Sequence, residues 1–233
     1  MGKHAIISLS GGMDSVTLLY YMIAKGYRIH PVLFQYGSNH NELERRCAAY
    51  HVDELGLMGN CRHVSVGDVF SLMESKLLGG EVPEGHYEAE SMKQTVVPGR
   101  NSIFATILMG YAESLRSKLG QTITVALGIH AGDHAIYPDC RPAWLEAMRT
   151  LSAVCSDYEK DGTPEPAARI TAPFLHMTKK DILKVGFNLK LNYKFTRTCY
   201  TKNRLACGRC GSCQERLEAF RLLGKEDPVE YEN

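Results

Sequence analysis

The sequence has no long apolar run, no low-complexity tract, no internal repeat and no block of like charge. Each absence removes a class of protein. A membrane-spanning helix needs about 20 apolar residues in succession. The first apolar stretch, Ala5-Ile6-Ile7-Ser8-Leu9, is too brief for that or for a secretory signal, so a cytoplasmic chain with no membrane contact is expected. Lys and Arg number 27 against 26 Asp and Glu, a formal net charge of +1, and they are scattered. That balance argues against a surface built to grip nucleic acid directly. The Walker A spacing and the three-glycine dinucleotide fingerprint are missing too. What remains, 44% hydrophobic and 23% charged over 233 residues, is the composition of one globular domain able to bury a full core.

Short apolar runs alternate with longer amphipathic ones, the pattern of an α/β protein with a Rossmann-like parallel sheet flanked by helices. Strands are expected near residues 4–9, 29–34, 61–66, 122–128 and 169–172, with Pro31 placing the second of them early or at an edge. Helices are expected near 15–25, 41–55, 102–116, 143–156, 178–186 and 214–223. The Gly-, Pro- and Glu-rich stretch from 79 to 98 has no period and reads as a loop covering a site. Residues 1–190 are expected to form the main domain. Residues 191–233 form a small helical region packed on it.

Directly after the first strand comes Ser10-Gly11-Gly12-Met13-Asp14-Ser15. Two glycines before a helix let backbone N–H groups at the positive end of the helix dipole approach an anion, and Ser10 and Ser15 add hydroxyls. Asp14 is a candidate ligand for Mg²⁺, a hard cation that takes carboxylate and phosphate oxygens. Near the other end, Cys207-Gly208-Arg209-Cys210-Gly211-Ser212-Cys213, with Cys199 upstream, supplies four thiols. Four thiolates close a tetrahedral Zn²⁺ site and leave no position for catalysis, so a structural zinc is expected; an iron–sulfur cluster uses similar residues. A cytoplasmic chain keeps such thiols out of disulfides.

The loop hexamer resembles the signature of the ATP pyrophosphatase superfamily, the PP-loop enzymes, which split ATP into AMP and pyrophosphate. Two further motifs sharpen this. They are Val97-Pro98-Gly99-Arg100-Asn101, then Gly128 followed by Asp133 and Tyr137-Pro138-Asp139-Cys140-Arg141. Together with the loop and the cysteines they resemble the QueC family of deazapurine and queuosine biosynthesis, in the same order and across nearly the whole chain. The resemblance implies an adenine nucleotide alpha hydrolase-like fold with a small C-terminal zinc-binding region. It also implies an ATP-dependent ligase turning 7-carboxy-7-deazaguanine and ammonia, through an amide, into 7-cyano-7-deazaguanine at a cost of two ATP. By the same resemblance Lys179 contacts phosphate and Arg100 binds a phosphate or the substrate carboxylate. Asp133 or Asp139 reads the deazaguanine edge, Tyr137 stacks on the ring, and Tyr36 and Asn101 complete the substrate pocket. A homodimer is also implied.

Gln35 ahead of Tyr36-Gly37, and a first cysteine gap shorter than in some relatives, depart from the family pattern and leave the final acceptor open. A QueC-like enzyme that joins the activated carboxylate to a protein amine is therefore an alternative. A thiolase acting on tRNA would need an RNA-binding surface and a further catalytic cysteine. A zinc-bearing interaction module with a degenerate loop is the non-enzymatic alternative, opposed by the intact hexamer. His130 and His134 flank Asp133, but Gly132 and Tyr137-Pro138 make that segment a loop, where they read as polar pocket residues rather than a second metal site.

Overall fold

The computed structural model describes residues 2–232 except 135, 157, 161 and 167, and leaves out the side chains of Asp133, His134, Lys160 and Pro164. The chain opens with β1 (Lys3–Ser8), α1 (Met13–Ala24), β2 (Tyr27–Gln35), α2 (Asn41–Glu54), β3 (Arg62–Ser65) and the single-turn α3 (Gly67–Phe70). It continues through α4 (Arg100–Leu119), β4 (Ile123–Ala126), α5 (Pro142–Val154), β5 (Tyr158–Lys160), β6 (Thr163–Glu165), β7 (Ala168–Thr171), α6 (Lys179–Asn188) and α7 (Gly211–Leu222). Five strands form one parallel sheet in the order β3-β2-β1-β4-β7. From β1 the chain winds outward to β3, then returns to place β4 on the other side of β1. That reversal opens a crevice between the C-terminal ends of β1 and β4, the place where open α/β sheets bind ligands.

The continuous apolar runs of β1 and β4 are explained by burial on both faces. Ile6, Val32, Phe34 and Val125 point into one core with Phe104, Ala105 and Leu108 of α4 and Leu145 and Met148 of α5. Ala5, Ile7, Leu33 and Ala126 point into the other, with Val16, Leu18 and Leu19 of α1, Ile182 and Leu183 of α6, and Phe220 of α7. The last helix thus shares the main core. Arg216 fixes it further: fully buried, it pairs with Asp227 at 2.6 Å and donates to Thr196 Oγ1 and the Tyr193 carbonyl.

Three details depart from expectation. β2 is an interior strand despite Pro31. Leu9 N–H donates to the Val32 carbonyl, so the backbone of Val32 faces β1 and that of Pro31 faces the opposite side. There β3 pairs only from Val32 onward, and the missing proline donor meets no ladder partner. Helix α4 runs longer than the apolar periodicity suggested, because its ends are set by left-handed glycines, Gly99 (φ 65°) and Gly120 (φ 64°). The antiparallel hairpin β5–β6 was not expected at all. Among the described residues, no helix is long and apolar enough to cross a membrane.

Away from the crevice, His4 Nδ1 and His30 Nε2 lie 2.9 Å apart and both rings are buried. One proton must be shared between them. Burial, with neighbouring His4 and the arginines 62 and 28, pushes His30 down from 6.5 to about 4. A histidine depressed in the folded state contributes stability that is present above its unfolded value and lost as pH falls through the folded one. Thermal stability should therefore decline between pH 6.5 and about 4. His30→Gln should flatten that decline in melts recorded across the window, and an unaltered slope would exclude the pair as its source.

Candidate active site

The loop after β1 is a closed knot of short bonds. Ser10 N–H and Ser10 Oγ meet Ser15 Oγ at 3.2 and 3.0 Å, Ser15 Oγ donates to the Gly12 carbonyl, and Gly12 N–H donates to Ser10 Oγ. Gly11 sits at φ 88°, where a Cβ would collide with the Glu44 carbonyl and approach Ala48 N to 2.8 Å. Both the left-handed backbone and the contact with α2 require glycine. Gly11→Ala should accordingly cost roughly 2 kcal/mol or more and displace the loop, read as a lower Tm in thermal melts. Gly12 caps α1 without any side-chain bond, leaving the helix N-terminus open toward the crevice.

Beside the loop, Lys179 at the start of α6 gathers three groups. Its Nζ lies 2.7 Å from Asp14 Oδ2, 2.8 Å from His130 Nε2 and 3.3 Å from Glu215 Oε2. Thr178 holds α6 in place with a reciprocal capping box to Asp181. Burial acts to raise the Asp14 carboxyl, but Lys179 and His130 outweigh it and hold the group below its ordinary value. Asp14 Oδ1 is buried with no hydrogen-bond partner. A carboxylate oxygen left in this state next to an anion-binding loop suits a hard divalent cation. Gly132 packs closely here too: a Cβ would meet Glu215 Oε1 and approach His130 Cε1 to 2.9 Å, so a larger residue would displace those side chains. Its N–H donates to His130 Nδ1 at 3.1 Å.

The second wall of the crevice comes from α4, on the opposite sheet face from α1. Arg100 and Asn101 are its first two residues, so both stand on a rigid helix rather than in the loop that their glycine and proline neighbours suggest. Among the described residues Arg100 has no carboxylate within ion-pair distance. Its guanidinium lies over the Tyr36 ring, 6.0 Å from the centroid, and its Nε reaches Asn101 Oδ1 at 3.4 Å. Burial works against the cation, yet the oxygens of Tyr36, Tyr137 and Tyr200 raise its pKa above the ordinary arginine value. Tyr137 is held by Thr95 Oγ1 at 2.9 Å and Tyr200 at 3.3 Å. Tyr87 and Met92, from the 79–98 stretch, also line the cavity.

Cys199, Cys207, Cys210 and Cys213 are all buried, with their sulfurs within 4.8 Å of one another. Backbone N–H groups of Cys207, Arg209 and Cys210 point at thiol sulfurs at 3.3–3.4 Å. Converging sulfurs, amide donors and exclusion of water fit a structural zinc. Cys210 is also the N-cap of α7, whose Gly211, Ser212 and Glu215 line the crevice. Arg197 joins the two regions: its N–H donates to the Gly11 carbonyl, and its guanidinium donates to the carbonyls of Cys199, Thr201, Asn203 and Arg204.

Ser10, Gly12, Met13, Asp14, Ser15, Tyr36, Arg100, Asn101, Tyr137 and Lys179 thus line one cavity. Asp139 does not join them. Its carboxylate accepts from Asn101 N–H at 3.0 Å and its carbonyl from Asn101 Nδ2, so it caps α4 instead of facing the crevice. The side chains of Asp133 and His134 lie outside the described residues. Sequence reading missed Glu44, Arg197 and Glu215, which reach the cavity from distant segments.

A parallel sheet with this strand order, an anion-binding loop at its reversal point and a four-cysteine module define a Rossmann-like protein of the adenine nucleotide alpha hydrolase-like kind. In overall fold it is similar to NMN synthetase from Francisella tularensis (TM-score 0.50, 13% identity, covering 97% of this chain and 79% of that one). Residues 4–224 match the family model described as queuosine biosynthesis protein QueC, and the chain belongs to that family. It is 42% identical over 234 residues to the 7-cyano-7-deazaguanine synthase of Marinomonas sp. (strain MWYL1), covering 100% of both chains. It is 41% identical over 228 residues to that of Methanoregula boonei, covering 98% of this chain and 99% of the relative.

Proposed function

We propose that this protein is a 7-cyano-7-deazaguanine synthase, an AMP-forming ligase acting on 7-carboxy-7-deazaguanine and ammonia. The observation that carries the reading is the pairing, in one cavity, of a loop at Ser10–Ser15 shaped to grip an anion with a cation, Arg100, set against the Tyr36 ring. The first suits a polyphosphate. The second suits a flat ring bearing a carboxylate.

The chemistry explains why ATP is needed. A carboxylate does not accept ammonia, because oxide is too poor a leaving group. Attack of its oxygen on the α-phosphorus of ATP expels pyrophosphate and converts that oxygen into part of AMP, which ammonia then displaces. The same device applied to the amide oxygen yields the nitrile. Catalysis of this kind is positioning and charge neutralisation, so a protein nucleophile is unnecessary. In this reading Ser10, Gly12, Met13 and Ser15 bind the phosphates and Lys179 neutralises them. Asp14 would hold Mg²⁺, which supplies further charge neutralisation on the phosphate oxygens. Arg100 orients the substrate carboxylate, with Tyr36, Asn101 and Tyr137 around the ring.

The test is direct. Purified protein incubated with ATP, Mg²⁺, ammonium and 7-carboxy-7-deazaguanine should release AMP and pyrophosphate, with the amide and then the nitrile appearing by mass spectrometry. Absence of AMP and of both products would sink the reading. A mass increase on protein, in place of free nitrile, would select the conjugating alternative.

A further inference from the structure

Resting on that reading, we propose that Glu44 is the catalytic base that captures ammonium and removes its proton before nitrogen attacks the activated carboxyl. Ammonia is overwhelmingly protonated at neutral pH, and ammonium has no lone pair to give. A site that takes up ammonium itself therefore needs a group to accept the proton.

The described carboxylates lining the cavity are Asp14, Glu44 and Glu215. Asp14 and Glu215 both lie against the Lys179 ammonium, at 2.7 and 3.3 Å, and a carboxylate so paired is a poor base. Glu44 is different. It projects from the first turn of α2 with its side chain 13% exposed, and His40 Nε2 lies 3.6 Å from its carboxylate. Its surroundings come from four segments: Arg100 of α4, Arg197 ahead of the cysteine module, His40 just before α2, and Tyr36 after β2, with Cys47 on its own helix. His40 is no competitor for the proton, because burial and the two arginines push it down to about 4. Tyr36 is raised by burial and stays a phenol.

Burial pushes the Glu44 carboxyl up to about 8, against the pull of Arg100 and Arg197. A base of that strength is well matched to ammonium, and it lies in the same corner as Arg100, the cation assigned to the substrate carboxylate. The step balances as follows. One ammonium proton passes to the Glu44 carboxylate. The freed lone pair forms the C–N bond, and the C–O bond to AMP breaks with its electron pair leaving on the phosphate. A second nitrogen proton departs with AMP, giving the neutral amide.

Glu44→Gln keeps the shape and removes the base. Pyrophosphate–ATP exchange driven by 7-carboxy-7-deazaguanine needs no amine and should stay within a few-fold of wild type, which also reports on folding. Amide formation from ammonium should fall about 100-fold or more. The rise of kcat/KM for ammonium as pH passes through about 8, where Glu44 becomes ionised, should disappear. Hydroxylamine, already unprotonated at neutral pH, should react with the variant nearly as fast as with wild type, and Glu44→Asp should recover part of the ammonium rate. An unchanged ammonium rate and pH profile would overturn the proposal. So would equal losses in exchange, ammonium and hydroxylamine reactions, which mark a structural role. Failure of the wild type to catalyse the exchange would instead tell against the synthase reading itself.

Discussion

Arg100→Ala should lower AMP release from ATP and 7-carboxy-7-deazaguanine about 10³-fold, the scale of removing a single preorganised charge partner from a closed site. The loss should be unequal between the two activation steps. Arg100 stands on α4, across the sheet from the loop and α1, inside an enclosure of Tyr36, Phe104, Tyr137 and Tyr200. If it grips the substrate carboxylate, the amide, which is neutral, should feel its removal far less. Starting the reaction from the amide should therefore show a loss nearer tenfold. Equal losses from acid and amide would place Arg100 on the phosphates instead. Arg100→Lys should restore little, since a lysine point charge lacks the planar fork that meets both carboxylate oxygens. Half-buried, and among the described residues with no carboxylate within ion-pair distance, the guanidinium faces the Tyr36 ring, which leaves it available to an incoming anion.

How much of this was legible in the sequence depends on whether a residue's role is local. The Ser10–Ser15 loop, the helix that follows it and the closely spaced Cys207, Cys210 and Cys213 act with their near neighbours in the chain, and spacing exposed them. Lys179 was legible through family resemblance alone; its contacts with Asp14, His130 and Glu215 bridge three other segments. Glu44 could not be singled out at all. In the sequence it is one of several charges on a helix with Glu42, Arg45 and Arg46, of which Glu42 pairs with both arginines at the surface. Only the docking of α2 behind Gly11 turns Glu44 inward. Asp139 is the reverse case. An acidic residue beside a substrate motif invites a binding role, yet its position opposite the open end of α4 makes it a cap. The hairpin β5–β6 escaped because strands of three residues carry no readable alternation.

Metal removal is the second large effect, and it should reach the active site as well as the fold. The protein should bind about one zinc per chain through four thiolates. Cys210→Ala should lose that metal and lower Tm by about 10 °C or more, the shift expected when a metal-site loss costs several kcal/mol in a chain of this size. Cys210 is the residue from which α7 starts, and the first turns of α7 present Gly211, Ser212 and Glu215 to the cavity. Gly211 packs so closely under Met92 and Tyr87 that a Cβ would come within 2.6 Å of the Met92 sulfur. Arg197 ties the Cys199 turn to the Gly11 carbonyl behind the phosphate loop. Freed of its metal, the module should therefore release Glu215 from Lys179 and loosen both the loop and the 79–98 cover together. Chelation at a temperature where the main core stays folded should abolish pyrophosphate–ATP exchange while far-ultraviolet circular dichroism changes little, because the cysteines pack in a cluster of their own, apart from the two cores that hold the sheet and helices α1 to α6. Readdition of zinc should restore the exchange. Full activity in a metal-free, folded protein would separate the cysteine module from the site and leave it with stability alone.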